Sequence, residues 1–130
     1  MLKKVLITED SSLQAKMYKS VFKKYADCEL VLAANGIEAL DKLKNAGDFD
    51  LIVLDINMPL MNGLTFLNEM KKLGYKKIPT IVVTTDDHED DVKAALAAGA
   101  TAYIMKPWTI AQLHSIIDKI FPDKLFRGGI

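Results

Sequence analysis

Four short apolar runs in this chain each end in a residue that phosphoryl-transfer chemistry uses. Val5-Leu6-Ile7-Thr8 leads into Glu9-Asp10, Leu51-Ile52-Val53-Leu54 into Asp55, Ile81-Val82-Val83 into Thr84-Thr85, and Ala102-Tyr103-Ile104-Met105 into Lys106-Pro107. An unbroken apolar run of this length, bounded by polar residues, reads as a strand buried on both faces, and such strands build parallel sheets. Parallel strands all end on one side. The pattern therefore predicts that three carboxylates, a hydroxyl and an ammonium share one pocket. Its excess negative charge calls for a divalent cation, and Mg²⁺ suits hard oxygen donors, taking carboxylates and a backbone carbonyl while keeping several waters.

Between the runs lie stretches of helical period, a βα alternation repeated five times with no Pro/Ser/Gly-rich linker. Helix one is predicted over about Ser12 to Tyr25, on Leu13, Met17 and Val21. Helix two follows Asn35-Gly36, on Ile37, Leu40 and Leu43, and stops near Gly47. Helix three starts near Gly63, on Leu64, Leu67 and Met70, with Gly74 as its C-terminal cap. The acidic run Asp86-Asp87-His88-Glu89-Asp90-Asp91 suits the N-cap and first turn of helix four, where the macrodipole favours negative charge, and Gly99 suits its end. Helix five opens with a capping box, Thr109 and Gln112, and a hydrophobic staple, Trp108 and Leu113. Its apolar stripe is Ile110, Leu113, Ile116, Ile117 and Ile120. Right-handed crossovers put helices on both faces of such a sheet, and ligands bind beyond the carboxyl ends of its strands at a topological switch point, here flanked by strands one and three. The second strand, Leu30-Val31-Leu32-Ala33, is a neighbour of the pocket without chemistry of its own.

The chain has 130 residues, 50% of them hydrophobic, enough for one core and too few for two ordinary domains. Seventeen Lys and Arg balance 17 Asp and Glu, so no overall basic field attracts nucleic acid or an anionic membrane. The single Cys28 forms no internal disulfide and reads as core filler. No apolar stretch approaches a membrane span or a signal-peptide core, which predicts a soluble, cytoplasmic protein. His88 sits among five acidic residues, but consecutive side chains at a helix start splay apart and seldom chelate, and His114 has no Cys or carboxylate at ligand spacing; neither is assigned a phosphodonor or metal role. A domain over 1–122 is followed by a tail, 123–130, that holds no output domain.

Taken together, Glu9-Asp10, Asp55 with Ile56-Asn57-Met58-Pro59 and Gly63, Thr84, and Tyr103-Ile104-Met105-Lys106-Pro107 resemble the motif set of response-regulator receiver domains of two-component signalling. The resemblance covers about residues 3 to 121, and in size and layout it is to stand-alone chemotaxis-type regulators. It implies a flavodoxin-like α/β fold, a five-stranded parallel sheet of order 2-1-3-4-5 flanked by five helices. It implies that Asp55 is the phosphoacceptor for a histidine kinase, that Asp10, Asp55 and the Asn57 carbonyl ligate Mg²⁺, and that Glu9 acts mostly through water. Lys106 then neutralises the phosphoryl oxygens. Thr84 and Tyr103 would switch a protein-binding surface on helix four, strand five and helix five, with Lys93, Ala97 and Lys119 among its residues. Pro59, Gly63 and Pro107 shape loops, the Lys106-Pro107 step being usually cis in the family. Asn57, Thr85 and Asp86 tune phosphate lifetime; Thr85 stands where many members carry Ala or Gly, and its bulk predicts slow phosphate loss.

On this reading the chain is a signalling switch that catalyses only its own phosphorylation and dephosphorylation. Its partners are a histidine kinase and either a protein target such as the flagellar motor or, as a phosphorelay intermediate, a histidine phosphotransferase. It is a monomer or a weak phosphorylation-dependent dimer. Two other classes compete. A haloacid-dehalogenase-type phosphohydrolase needs an acid/base Asp two residues after the nucleophile, where Asn57 stands, so its turnover would be slow. A degenerate, constitutive interaction module is opposed by the intact acidic pair, nucleophile, threonine and lysine.

Overall fold

The computed structural model describes residues 2–25, 27–56, 58, 60–75, 77–85 and 89–122. Five parallel strands, β1 (Lys4–Thr8), β2 (Glu29–Ala33), β3 (Leu51–Asp55), β4 (Thr80–Thr84) and β5 (Ala102–Met105), form one sheet of order β2-β1-β3-β4-β5. Five helices alternate with them: α1 (Ser12–Phe22), α2 (Gly36–Asn45), α3 (Gly63–Lys72), α4 (Glu89–Ala97) and α5 (Ile110–Ile120). The order reverses between β1 and β3, which is the arrangement the resemblance to receiver domains implies.

Strand alternation sorts the side chains into two cores. Val5, Ile7, Leu51, Val53, Ile81, Val83 and Ile104 meet Tyr18, Val21 and Phe22 of α1 and Leu113 and Ile117 of α5. Leu6, Ile52, Leu54 and Val82 point the other way, against Ala39 and Leu43 of α2, Phe66, Leu67 and Met70 of α3, and Ala95 of α4. The result is a helix–sheet–helix sandwich.

Helix starts follow the capping chemistry. Ser11, Asn35 and Asn62 accept from the backbone N–H of Gln14, Glu38 and Thr65 at the starts of α1, α2 and α3. The Thr109–Gln112 capping box is formed in both directions, and Trp108 and Leu113 are buried in one core as a staple requires. Gly47, Gly74 and Gly99 take positive φ after α2, α3 and α4.

Two details of the helix assignments need correction, and a third falls on residues that are not described. Helix one ends at Phe22 rather than Tyr25, because the Tyr25 N–H bonds the Phe22 carbonyl in a tightened turn. Leu13 and Ile37, assigned to apolar stripes, are 68% and 54% exposed, and Ile110 is exposed too. These residues lie in the first turns of their helices, beyond the carboxyl edge of the sheet, where no layer is available to cover them. The acidic segment 86–88 proposed to begin helix four lies outside the described residues.

Candidate functional site

The alternation that builds the first core also selects the residues of the pocket. Continuing Val5, Ile7 by two residues gives Glu9; continuing Leu51, Val53 gives Asp55; continuing Ile104 gives Lys106. All three therefore emerge on the α1/α5 side at the carboxyl ends of their strands. Glu9 and Asp55 are buried, at 7% and 4% exposure. Lys106 Nζ lies 2.8 Å from Asp55 Oδ2 and 3.6 Å from Glu9 Oε2.

The backbone holds each group in place. The Glu9 N–H donates to the Ala33 carbonyl (2.8 Å), the Ile56 N–H to Val83 (3.0 Å) and the Lys106 N–H to Thr84 (2.7 Å), which extends the ladder past the strand ends. The Ser11 N–H donates to Glu9 Oε1 at 3.2 Å. Thr8, counted above only as the end of an apolar run, contributes more: its Oγ1 accepts from the Asp55 N–H at 3.0 Å and donates to the Val53 carbonyl at 3.3 Å. The signal for it in the sequence is a single hydroxyl inside a run of aliphatic residues.

Gly63 is needed because of the space around it. A Cβ there would meet the Ile56 Cα at 2.8 Å and the Asp55 carbonyl oxygen at 2.9 Å, and the Gly63 N–H donates to the Ile56 carbonyl at 2.9 Å. The start of α3 is thereby pressed against the backbone of Asp55. Gly36, at the start of α2, makes a similar approach to Met61.

These three charges act on one another. Burial raises the Glu9 pKa; the Lys106 charge works against that, and Asp55 adds to it. Burial acts to lower the Lys106 pKa, but the hydrogen bond and charge of Asp55, with Glu9 behind it, outweigh it and the value is raised. The stronger partner of Lys106 is thus Asp55, in agreement with the shorter distance.

Of the remaining predicted site residues, Thr84 is fully buried, Thr85 and Pro107 are exposed at the rim, and the Lys106-Pro107 peptide is cis. Tyr103 is 44% exposed on β5, and Lys93, Ala97 and Lys119 are exposed. Asn57, Pro59 and Asp86 lie outside the described residues. Asp10 is exposed, and among the described residues no three side chains of His, Cys, Asp or Glu gather in one place. The pair that does meet, Glu9 and Asp55, still fits a hard divalent cation: both donors are carboxylates, and Glu9 Oε2 is buried without a hydrogen-bond partner among the described residues.

A cleft of about 370 Å³ beside the pocket is lined by Gln14, Met17, Thr85, Lys106, Pro107 and Trp108. No helix of the described residues is long and apolar enough to cross a membrane.

Comparison with known proteins places these features in a family context. The family model described as "Response regulator receiver domain" matches residues 5–118. Chemotaxis protein CheY1 of Helicobacter pylori is 35% identical over 107 residues, which are 82% of this chain and 86% of that protein. Hybrid signal transduction histidine kinase G of Dictyostelium discoideum is 38% identical over 125 residues, 94% of this chain, which spans only 4% of the length of that relative. A CheY-like response regulator receiver domain protein from Methanospirillum hungatei JF-1 superposes with a TM-score of 0.83 at 31% identity, covering 94% of this chain and 95% of that one. Response regulator Rcp1, solved in a Mn²⁺-bound form, superposes with a TM-score of 0.79 at 30% identity, covering 95% and 94%.

Proposed function

From the premise that the chain belongs to the response regulator receiver family, we propose that it is a phosphorylation-controlled switch whose phosphoacceptor is Asp55. Receiver domains act as signalling switches, and dependence on phosphorylation and Mg²⁺ is general to the family. The observation that carries the assignment to this residue is the buried Asp55 carboxylate at the end of β3, 2.8 Å from Lys106.

An ionised carboxylate needs no general base. An Asp55 oxygen forms a bond to the phosphorus of a kinase phosphohistidine as the P–N bond breaks, and the electron pair stays with that nitrogen; the other ring nitrogen already carries a proton, so neutral imidazole leaves. Lys106 offsets charge on the phosphoryl oxygens, and its ion pair with Asp55 opens to do so. Glu9, Asp10, Asp55 and the Asn57 carbonyl would hold Mg²⁺, which supplies further charge neutralisation. The Mn²⁺-bound form of Rcp1, at 30% identity, supports a divalent ion in this fold. Thr84 would donate its hydroxyl to the new phosphoryl group and bias Tyr103, whose outward position suits the unphosphorylated end of the equilibrium.

The output is protein binding in the cytoplasm, read on α4, β5 and α5, with residues 1–122 as the receiver and 123–130 as a tail. Chemotaxis-type signalling is favoured over a phosphorelay role because chemotaxis protein CheY1 is matched over 86% of its own length.

The test is the intact mass of the protein after incubation with a small phosphodonor and Mg²⁺, beside Asp55→Asn and an EDTA control. A gain of one phosphoryl group that needs both Asp55 and Mg²⁺ is expected. No gain in the wild-type protein would overturn the assignment and favour a constitutive interaction module.

A further inference from the structure

Three buried side-chain atoms have no hydrogen-bond partner among the described residues: Glu9 Oε2, the Tyr18 hydroxyl and Trp108 Nε1. They are not scattered. Tyr18 on α1 and Trp108 before α5 pack in the core that lies on the Glu9 face of the sheet, with ring centroids 4.9 Å apart and planes tilted by 35°. Tyr18 is fully buried and Trp108 is 4% exposed, so neither polar end reaches bulk solvent.

Their chemistry is complementary. An indole N–H only donates, a carboxylate only accepts and a phenol does both. A buried water makes about three hydrogen bonds, usually to groups that have no other partner. Trp108 also lines the cleft beside Lys106, the residue whose Nζ lies 3.6 Å from Glu9 Oε2. The charges of Glu9 and Asp55 add to burial in raising the Tyr18 pKa, which sets the phenol within their field; the Trp108 N–H, close to the phenol oxygen but outside good hydrogen-bond geometry, acts in the opposite sense.

We propose that Tyr18 and Trp108 are positioning residues for Glu9, holding its Oε2 through a shared water beneath the pocket. With Oε1 already accepting from the Ser11 N–H at 3.2 Å, both carboxylate oxygens are then fixed. The consequence for ion binding rests on the Mg²⁺ reading of the pocket; the link between the three side chains does not.

A double-mutant cycle separates the two. Urea unfolding in EDTA is measured for the wild type, Tyr18→Phe, Glu9→Met and the double variant. The expected result is a coupling of roughly fivefold in the unfolding constant, the size of one net hydrogen bond. Trp108→Phe with Glu9→Met gives a second, independent cycle should the first variant fold poorly. Because the chain has one tryptophan, its emission should also shift on Glu9→Met. In a calorimetric Mg²⁺ titration Tyr18→Phe should bind severalfold more weakly than wild type. Additive cycles, or a Mg²⁺ affinity unchanged by Tyr18→Phe, overturn the proposal. A wild-type protein that binds no Mg²⁺ while the cycles remain coupled overturns the metal reading alone and leaves the link to Glu9 standing.

Discussion

Replacing Thr8 by valine should loosen Asp55, the proposed phosphoacceptor, from behind. Thr8 is fully buried, and its Oγ1 takes the Asp55 N–H at 3.0 Å. Valine keeps the branched shape and puts a methyl where that acceptor was. A buried donor left without its partner costs about 1–3 kcal/mol, and the extra buried methyl returns about 0.8 kcal/mol. The middle of that range nets about 1 kcal/mol, roughly fivefold in the unfolding constant. The hydroxyl's own bond to the Val53 carbonyl is long, 3.3 Å, and adds little. Urea unfolding gives the stability change, and amide exchange at Asp55 identifies its source. Thr8→Val should expose that amide, whereas Thr8→Ser, which loses a methyl but keeps the hydroxyl, should leave it protected. If Thr8→Val were as stable as wild type with the Asp55 amide still slow to exchange, the reasoning would be refuted.

Gly63→Ala should destabilise by about 1–3 kcal/mol, the usual range for overpacking, because its Cβ would fall 2.8 Å from the Ile56 Cα and 2.9 Å from the Asp55 oxygen. Urea unfolding and the rate of Asp55 phosphorylation should both suffer, and a variant equal to wild type in each would show that the α3 start is free to shift. Thr85→Ala, which trims the exposed rim of the cleft, should shorten the phosphorylated lifetime severalfold; a longer lifetime in the variant contradicts the steric argument. Burial, with the charge of Asp50 behind it, pushes the Cys28 thiol up to about 11. Its thiolate is therefore scarce at pH 8, and native alkylation followed by mass spectrometry should be slow and rise with pH until about 11, whereas a break near 9.0 would contradict the burial. The sign for stability follows: between 9.0 and about 11 the folded chain keeps a proton that the unfolded chain loses, so raising the pH through that window destabilises.

Much of this architecture can be read from the order of residue types. The apolar runs give β1, β3, β4 and β5, and the polar residues after them give Glu9, Asp55 and Lys106 at one sheet edge. Caps are local, so Asn35, Asn62 and the Thr109–Gln112 box carry their own signal. Helical period is less informative at helix ends. It assigns Leu13 and Ile37 to a buried face, but period says nothing about where the sheet stops, and both lie past its edge. Thr8 is hidden for the opposite reason, as a hydroxyl in an aliphatic run whose partner is 47 residues away. Tyr18 and Trp108 each read as packing; only their meeting at 4.9 Å, on the face of the sheet that carries Glu9, brings their unpaired polar ends together.

The same alternation also constrains how the proposed switch can work. Paired residues of parallel strands face the same way, and the register sets Val82 opposite Tyr103 and Thr84 opposite Met105. Val82 belongs to the core shared with α2, α3 and α4, so Thr84 and Tyr103 lie on that side, while Glu9, Asp55 and Lys106 lie on the other. Slipping any one strand by a single residue would move its members to the other set, so the apolar core that fixes the register also keeps Asp55 and the proposed switch residues on opposite faces. A phosphoryl group on Asp55 that draws the Thr84 hydroxyl toward it would pull a buried side chain away from the face that Tyr103 shares. Tyr103, half exposed at the sheet edge, has the freedom to follow, and the cost of burying it is offset by the apolar area its ring removes from water. The direction of the signal, from an inward-facing carboxylate to an outward-facing aromatic, thus depends on a strand that presents its two faces to different layers.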